Sequence, residues 1–279
     1  MTYSFKDKIA VITGASSGVG ASFAKFLAKA GLHVVLTARR EERLKDLQTD
    51  IIAQGGKANF YTADLSREKE RESLFKKINA EVGDIDILIN NAGFGWYGYY
   101  SDMPWKLVEQ MMAVNMMGML HLTNLFLPGM LALGKGHIIN IGSIAGGLPN
   151  QGIAVYAASK SFMDAFTTSL HRELRGSGVQ ASVMRLGPVK TEFYDQAREL
   201  KNARSIPAEK FAISTEQVNS ALWRLINHPQ RVVYVPGWLV VSRYAENIFG
   251  GVIDRIGPLL LKKSHDKKKQ GSQTEGITR

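Results

Sequence analysis

Short β-branched runs alternate with helical stretches from the N-terminus onward, and no other feature restricts the chain so much. Residues 8–13 precede a helical pattern at 19–30, residues 33–37 precede one at 41–54, and residues 58–62 precede one at 67–82. Strands separated by a helix return parallel to one another through right-handed crossovers, which puts helices on both faces of one sheet. The rhythm continues with strands expected at 85–89, 137–141, 179–185 and 232–235, and helices at 103–133, 152–176 and 215–227. A nearly continuous apolar run such as Ile85-Asp86-Ile87-Leu88-Ile89 fits a strand covered on both faces. The expected fold class is α/β, a doubly wound parallel sheet of about seven strands. No Pro/Gly/Ser-rich linker divides residues 1–236, so they read as one domain. A helical extension at 237–263 and a polar, disordered tail at 264–279 follow it.

The first strand runs into Thr13-Gly14-Ala15-Ser16-Ser17-Gly18-Val19-Gly20, with a helix immediately after. Glycines there let the backbone turn tightly and approach a pyrophosphate at the positive helix N-terminus; alone, the same turn serves any βα connection. Further motifs follow in order: Asn90-Asn91-Ala92-Gly93 after the fourth strand, Asn115 in the next long helix, Ser143 after the fifth strand, Tyr156-x-x-x-Lys160, and Pro188 with Thr191 after the sixth. Together these motifs resemble those of the short-chain dehydrogenase/reductase family over roughly residues 5–240. The resemblance implies a Rossmann-like fold and a nicotinamide cofactor. It implies cofactor contacts from Gly14, Ser16, Ser17, Gly18, Val19, Gly20, Arg39, Arg40, Asp64, Leu65, Asn91, Ala92, Gly93, Tyr156, Lys160, Pro188, Val189 and Thr191.

The chemistry of Ser143, Tyr156 and Lys160 can be argued from physics as well. Residues four apart share a helix face, so Lys160 lies beneath Tyr156, and a neighbouring cation lowers a phenol pKa from ~10 toward working pH. The phenol then serves as acid in reduction and base in oxidation, while the Ser143 hydroxyl holds the substrate oxygen. Asn115, a polar residue inside an apolar run, needs a partner if buried; by resemblance it positions a water that links Lys160 to solvent. Asp64 reads equally as a helix N-cap or, by resemblance, as a contact to adenine.

The second strand ends Thr37-Ala38-Arg39-Arg40, with no carboxylate to receive a ribose 2′-hydroxyl and two guanidiniums suited to a 2′-phosphate. NADP(H) is therefore expected over NAD(H). Phe94, Trp96 and Phe193 are candidate substrate contacts beside Ser143 and Tyr156; the aromatic run 94–100 reads as a substrate wall or as packing that anchors a helix. An apolar ketone, aldehyde, 3-oxoacyl or steroid-like carbonyl, or the corresponding secondary alcohol, is the expected substrate.

Composition narrows the alternatives. With no cysteine there is no disulfide framework and no thiolate chemistry. His33, His121, His137, His171, His228 and His265 are too scattered for an HExxH-type metal site, and no metal is expected. Residues 1–8 carry no apolar signal core, and no uninterrupted apolar run approaches ~20 residues, so a cytoplasmic protein without a transmembrane helix is expected. The net charge of +10 lacks any recognition-helix or aromatic-basic module, which disfavours nucleic acid, and an anionic dinucleotide accounts for part of it. From 241 to 261, apolar positions recur at helical spacing before a lysine cluster. That extension reads as a lid or oligomer contact, or alternatively as a peripheral membrane contact. A homodimer or homotetramer is expected from the resemblance. The remaining alternative is a non-catalytic, NADP(H)-binding redox sensor; such proteins commonly lose the Tyr or the Lys, and this chain retains both.

Overall fold

In the computed structural model, residues 6, 8–205, 211–242, 244, 250–252, 254–255 and 262–263 are described. The alternation yields β1 (Ile9–Thr13), α1 (Gly18–Lys29), β2 (His33–Ala38), α2 (Glu41–Ala53), β3 (Lys57–Thr62), α3 (Glu68–Glu81) and β4 (Ile87–Asn90). After these come α4 (Trp105–Met112), α5 (Met119–Leu133), β5 (Gly136–Ser143), α6 (Ala154–Glu173), β6 (Val179–Leu186) and α7 (Phe193–Glu199). The short strand β7 (Arg204–Ser205), α8 (Thr215–Asn227), β8 (Val232–Val235) and β9 (Lys262–Lys263) complete the series. Seven strands form one sheet in the order β3-β2-β1-β4-β5-β6-β8, every pairing parallel. The single-domain, doubly wound α/β architecture expected of the sequence is the one observed.

The sheet separates two apolar layers. Ile12, Leu36, Ile89 and Met184 face Phe23, Leu27, Leu44 and Leu222 of α1, α2 and α8, whereas Val11, Val35, Leu88 and Ile138 face Leu74, Ile78, Leu122 and Phe126 of α3 and α5. Each strand thus alternates apolar residues to both sides, which explains its continuous hydrophobic run. A buried polar ladder crosses the centre: Asn90 Nδ2 donates to Asn140 Oδ1 at 2.9 Å and Thr123 Oγ1 at 3.2 Å, and Asn140 Nδ2 to Thr167 Oγ1 at 2.8 Å. It joins β4 and β5 to α5 and α6, the elements that carry the site.

Two local features differ from the sequence expectation. The single helix expected at 103–133 begins after Pro104 and widens to a π-turn over Ala113–Gly118 between α4 and α5. By length and composition the run Trp105–Leu133 would also suffice to cross a membrane; Leu107, Met111, Met119, Leu122, Phe126 and Met130 pack into the protein, while Met112, Met117, Leu131 and Leu133 are exposed. The unexpected β7 pairs antiparallel with β9. Gly237–Val241 forms a 3-10 turn; most of the amphipathic pattern at 241–261, and the whole tail 264–279, lie outside the described residues.

Candidate active site

The sheet order reverses between β1 and β4, and a cleft opens at the C-terminal ends of the strands there, as it does in open α/β sheets. The turn after β1 forms one edge. Gly14 adopts φ +65°, and a Cβ on Gly20 would lie 2.5 Å from the Gly14 carbonyl oxygen and 2.6 Å from Asn91 Nδ2. Side chains at either position would break the turn or push it off β4. Thr13 Oγ1 accepts from the Asn91 and Ala92 amides, each at 2.9 Å, and Asn91 Nδ2 donates to the Thr13 carbonyl at 2.9 Å. The Asn-Ala-Gly segment and the glycine turn are therefore one rigid unit. Ser17 precedes α1 in extended conformation without a side-chain cap, and the first turn of α1 carries no acid, so the helix N-terminus keeps its positive end for a ligand.

Across the cleft stand Ser143, Tyr156 and Lys160. Ser143 ends β5, and its hydroxyl accepts from the Ala145 amide at 3.1 Å, which fixes the 3-10 turn Ile144–Gly146 behind it. Tyr156 and Lys160 lie on successive turns of α6; the Lys160 Nζ is 5.8 Å from the phenol ring centroid and donates to the Ile141 carbonyl at 2.7 Å. The electrostatics correct the sequence expectation. Burial pushes the Tyr156 phenol up to about 12 despite the opposing hydrogen bond with Ser143, and pulls the Lys160 ammonium down to about 8 against the attraction of Asp164. The lysine sits over the ring rather than at the phenol oxygen, so desolvation outweighs it and Tyr156 keeps its proton at neutral pH.

Asn115, fully buried, lies in the π-turn. Its Oδ1 accepts from the Phe94 amide at 3.0 Å, while Nδ2 donates to the Phe94 carbonyl at 3.0 Å and Ser159 Oγ at 3.2 Å. It thereby ties the loop after β4 to α6, and a Cβ on Gly93 would meet both Asn115 Oδ1, at 3.0 Å, and Lys160 Nζ, at 3.9 Å.

The cleft measures about 420 Å³, within the range of small-molecule sites. Of the residues singled out in the sequence, Gly14, Ser17, Gly18, Val19, Asn91, Ala92, Gly93, Ser143, Tyr156, Lys160, Pro188, Val189, Thr191 and Phe193 line it. The aromatic run divides between its two readings. Trp96 is buried with Leu107, Met111 and Ala203, its Nε1 donating to the Lys201 carbonyl at 3.0 Å, and Phe94 packs beside that cluster rather than lining the cleft. Tyr97 instead joins the wall, stacked on Tyr194 at 5.9 Å between centroids, with Leu148, Ile153 and Phe211 continuing the apolar surface. Leu148, Ile153 and Phe211 escaped the sequence reading, because no local motif marks them.

The expected cofactor-edge residues lie around this cleft rather than in its lining. Arg40 donates through Nε and Nη2 to Ser16 Oγ, at 3.1 and 3.0 Å, and through Nη2 to Ser17 Oγ at 2.6 Å, so it arches over the glycine turn. Glu192, which the sequence reading missed, accepts from Arg43 at 2.7 Å and lies 3.7 Å from Arg40. Arg39 is exposed at the end of β2 and makes no hydrogen bond or ion pair among the described residues. Asp64 is not the N-cap, a place taken by Arg67; its Oδ1 accepts from the Ser66 amide and hydroxyl at 3.0 and 2.8 Å. Those bonds, with nearby Arg39 and Arg67, hold its carboxyl below the usual range even though burial pulls the other way. Leu65 is buried beside it, its carbonyl accepting from Arg71 at 2.7 Å. Among the described residues, Glu68, Glu72 and His121 bring their ligand atoms within 4.8 Å of one another, and His121 Nδ1 already takes a hydrogen bond from Arg71.

Residues 8–202 match the family model described as short chain dehydrogenase. The chain is 38% identical over 177 residues to a very-long-chain 3-oxoacyl-CoA reductase from Anas platyrhynchos, covering 61% of this chain and 56% of that protein. It is 33% identical over 243 residues to a fatty acyl-CoA reductase from Acinetobacter baylyi, covering 86% of this chain and 80% of that protein. It is also 33% identical over 227 residues to a glycine betaine reductase from Emericella nidulans, 81% of this chain but 18% of that larger protein. Against the first and the last of these, the chain spans less than two thirds of the relative's length. Among solved structures, a metagenomic short-chain oxidoreductase in complex with NADP superposes with a TM-score of 0.71 at 32% identity, covering 83% of this chain and 96% of that one. A Burkholderia phymatum short chain dehydrogenase/reductase in complex with NAD superposes with a TM-score of 0.82 at 26% identity, covering 90% and 96%.

Proposed function

Because the chain belongs to the short-chain dehydrogenase family, we propose that it is an NADP(H)-dependent reductase of apolar carbonyl compounds, with Tyr156 as the proton donor. The observation that carries this reading is the half-buried phenol of Tyr156 beside Ser143, with Lys160 under its ring, on the wall of an aromatic-lined cleft. When bound, the nicotinamide supplies the hydride that forms the new C–H bond.

The residues present suit such a cofactor. The glycine turn leaves room for backbone to approach a pyrophosphate, and the unencumbered N-terminus of α1 favours its negative charge. Gly14, Ser16, Ser17, Gly18, Val19 and Gly20 would hold the phosphates, Asn91, Ala92 and Gly93 the ribose side, and Pro188, Val189 and Thr191 the carboxamide end. Arg39, with Arg40 behind it, would meet a 2′-phosphate, and Ala38 leaves no acid at the strand end to repel it. The structures bound to NADP and to NAD are compatible with either cofactor, so the preference rests on this strand end.

Ser143 orients the carbonyl oxygen toward Tyr156, whose proton passes to that oxygen as the C=O double bond becomes the C–O bond of an alcohol. A phenol held up to about 12 is an acid near neutral pH, which favours reduction over oxidation. The phenolate left behind is stabilised by the Lys160 ammonium beneath the ring and regains its proton from solvent. Tyr97, Tyr194, Phe193, Leu148 and Ile153 exclude water from the reacting centre and favour an apolar chain. The oxoacyl-CoA and acyl-CoA reductases among the relatives act on substrates of that character by name. Leu239 lies where a Cβ on Gly187 would be only 2.7 Å away, and Gln151 Nε2 reaches the Asp254 carbonyl at 3.5 Å; both Gly187 and Gln151 line the cleft. These contacts support the lid reading of residues 237–263.

A series of 3-oxoacyl thioesters and methyl ketones of rising chain length tests the substrate reading. NADPH consumption is expected with kcat/KM climbing by up to about fourfold per added methylene, from the burial of each CH₂ at ~0.8 kcal/mol. Flat dependence on chain length would remove the apolar substrate from the proposal.

A further inference from the structure

Glu192 has no part in the proposed reaction, yet it joins two edges of the cleft that are far apart in the sequence. It stands between Thr191 and Phe193, both of which line the cleft, and it immediately precedes α7. Its Oε2 accepts from Arg43 Nη1 on α2 at 2.7 Å and from Gln196 Nε2 at 3.2 Å, and lies 3.7 Å from Arg40 Nη1. The hydrogen bond from Arg43 is the main cause that holds the Glu192 carboxyl below the usual range, so the pair is ionised at neutral pH.

The segment that carries Glu192 is fixed at its base and reaches across the glycine turn. At the base, the Ile213 amide donates to the Pro188 carbonyl at 2.8 Å and the Lys190 amide to the Ile213 carbonyl at 2.9 Å. Further along, Thr191 bears on the start of α1, where a Cβ on Gly18 would lie 3.3 Å from the Thr191 Cβ. Arg40 approaches the same turn from the other side through its bonds to Ser16 and Ser17. Glu192 thus closes a bridge from the segment after β6 to the start of α2, beside the turn that the proposed function gives to the cofactor phosphates. Beyond it the same segment becomes substrate wall: Phe193 packs 5.9 Å from the Tyr156 ring centroid, and Tyr194 stacks on Tyr97.

We propose that Glu192 is a positioning residue, whose ion pair with Arg43 clasps residues 188–193 across the glycine turn and slows the release of a bound nicotinamide dinucleotide. The inference rests on the cofactor reading proposed above. Both side chains are about half exposed, at 46% for Arg43 and 48% for Glu192, so the clasp is weak and reversible, as exchange of a cofactor at every turnover requires.

Neutralising Glu192 separates the clasp from the charge. Loss of a carboxylate beside Arg40 and Arg43 makes that edge more positive, which by itself holds an anionic cofactor longer. Loss of the clasp acts in the opposite direction. In E192Q, NADPH dissociation followed by stopped-flow fluorescence is expected to speed up about two- to fivefold, the size of an exposed ion pair. The exchanged pair E192R/R43E keeps the summed charge and is expected to return the rate to within about twofold of wild type. R43E alone is expected to release NADPH at least as fast as E192Q. An E192Q rate equal to or slower than wild type, or an exchanged pair that releases NADPH as fast as R43E alone, would overturn the inference and leave Glu192 a surface ion pair. A wild-type chain that binds no NADPH would instead overturn the cofactor reading, and this inference with it.

Discussion

Tyr156→Phe is expected to lower kcat for carbonyl reduction by about 10³-fold or more while NADPH affinity changes little, because only the transferable proton is removed. The ring remains to pack against Phe193, 5.9 Å away between centroids, and Lys160 keeps its bond to the Ile141 carbonyl. The size of the effect follows from the phenol's place on an apolar cleft wall. Tyr156 is half-buried on the cleft wall, where the apolar lining limits competition from solvent for the forming alkoxide, so the loss lies toward the upper end of what a general acid contributes, about 10⁴-fold. Steady-state kinetics and a fluorescence titration with NADPH check it together. Retention of a tenth or more of wild-type kcat would remove Tyr156 as the acid.

Arg39→Asp is expected to lower the ratio of kcat/KM for NADPH to that for NADH by about 10²–10³-fold. Among the described residues the Arg39 guanidinium makes no hydrogen bond or ion pair, whereas Arg40 is committed to Ser16 and Ser17 and Arg43 to Glu192, so Arg39 is the cation best able to turn onto a 2′-phosphate. A charge-assisted hydrogen bond contributes ~1.5–3 kcal/mol, and a carboxylate in its place adds repulsion, which together make several powers of ten at ~1.4 kcal/mol each. The same carboxylate can accept from a ribose 2′-hydroxyl, so NADH should gain as NADPH loses. Equal efficiency with both cofactors in the native chain would contradict the assignment before any substitution is made.

The sheet was legible because its signals are local. Each apolar run in β1, β2, β4, β5 and β6 is bounded by its own turn chemistry, and parallel crossovers then imply a sheet with helices on both faces, whereas the strand order is set by pairing between distant segments. Gly14, Ser143, Tyr156 and Lys160 were singled out by the ordered series of motifs that resembles the family's, since a glycine turn or a four-residue Tyr–Lys step taken alone serves structure as readily as chemistry. The rest depended on distant contacts. Nothing near Asn115 announces a π-turn, which fits the side chain that spans the Phe94 backbone 21 positions away in sequence. The pairing of Arg43 with Glu192 joins residues 149 apart, and it makes Arg39 rather than Arg43 the available cation. Trp96 and Tyr97 are adjacent, yet one is packing and the other cleft wall, because consecutive residues of the extended loop point opposite ways. Most instructive is the sign at Tyr156. Sequence spacing supplied the lysine that lowers a phenol pKa, but not the burial that raises it, and burial wins.

The most direct measurement of the central claim is label transfer from NADPH deuterated at nicotinamide C4 to a long-chain ketone, read by mass spectrometry and NMR of the alcohol in wild type and Tyr156→Phe. The expected result is deuterium on the new carbinol carbon in a single configuration, at a rate lost with the phenol hydroxyl. An alcohol formed with the label elsewhere, equal label transfer by Tyr156→Phe, or no alcohol from any apolar carbonyl would contradict it.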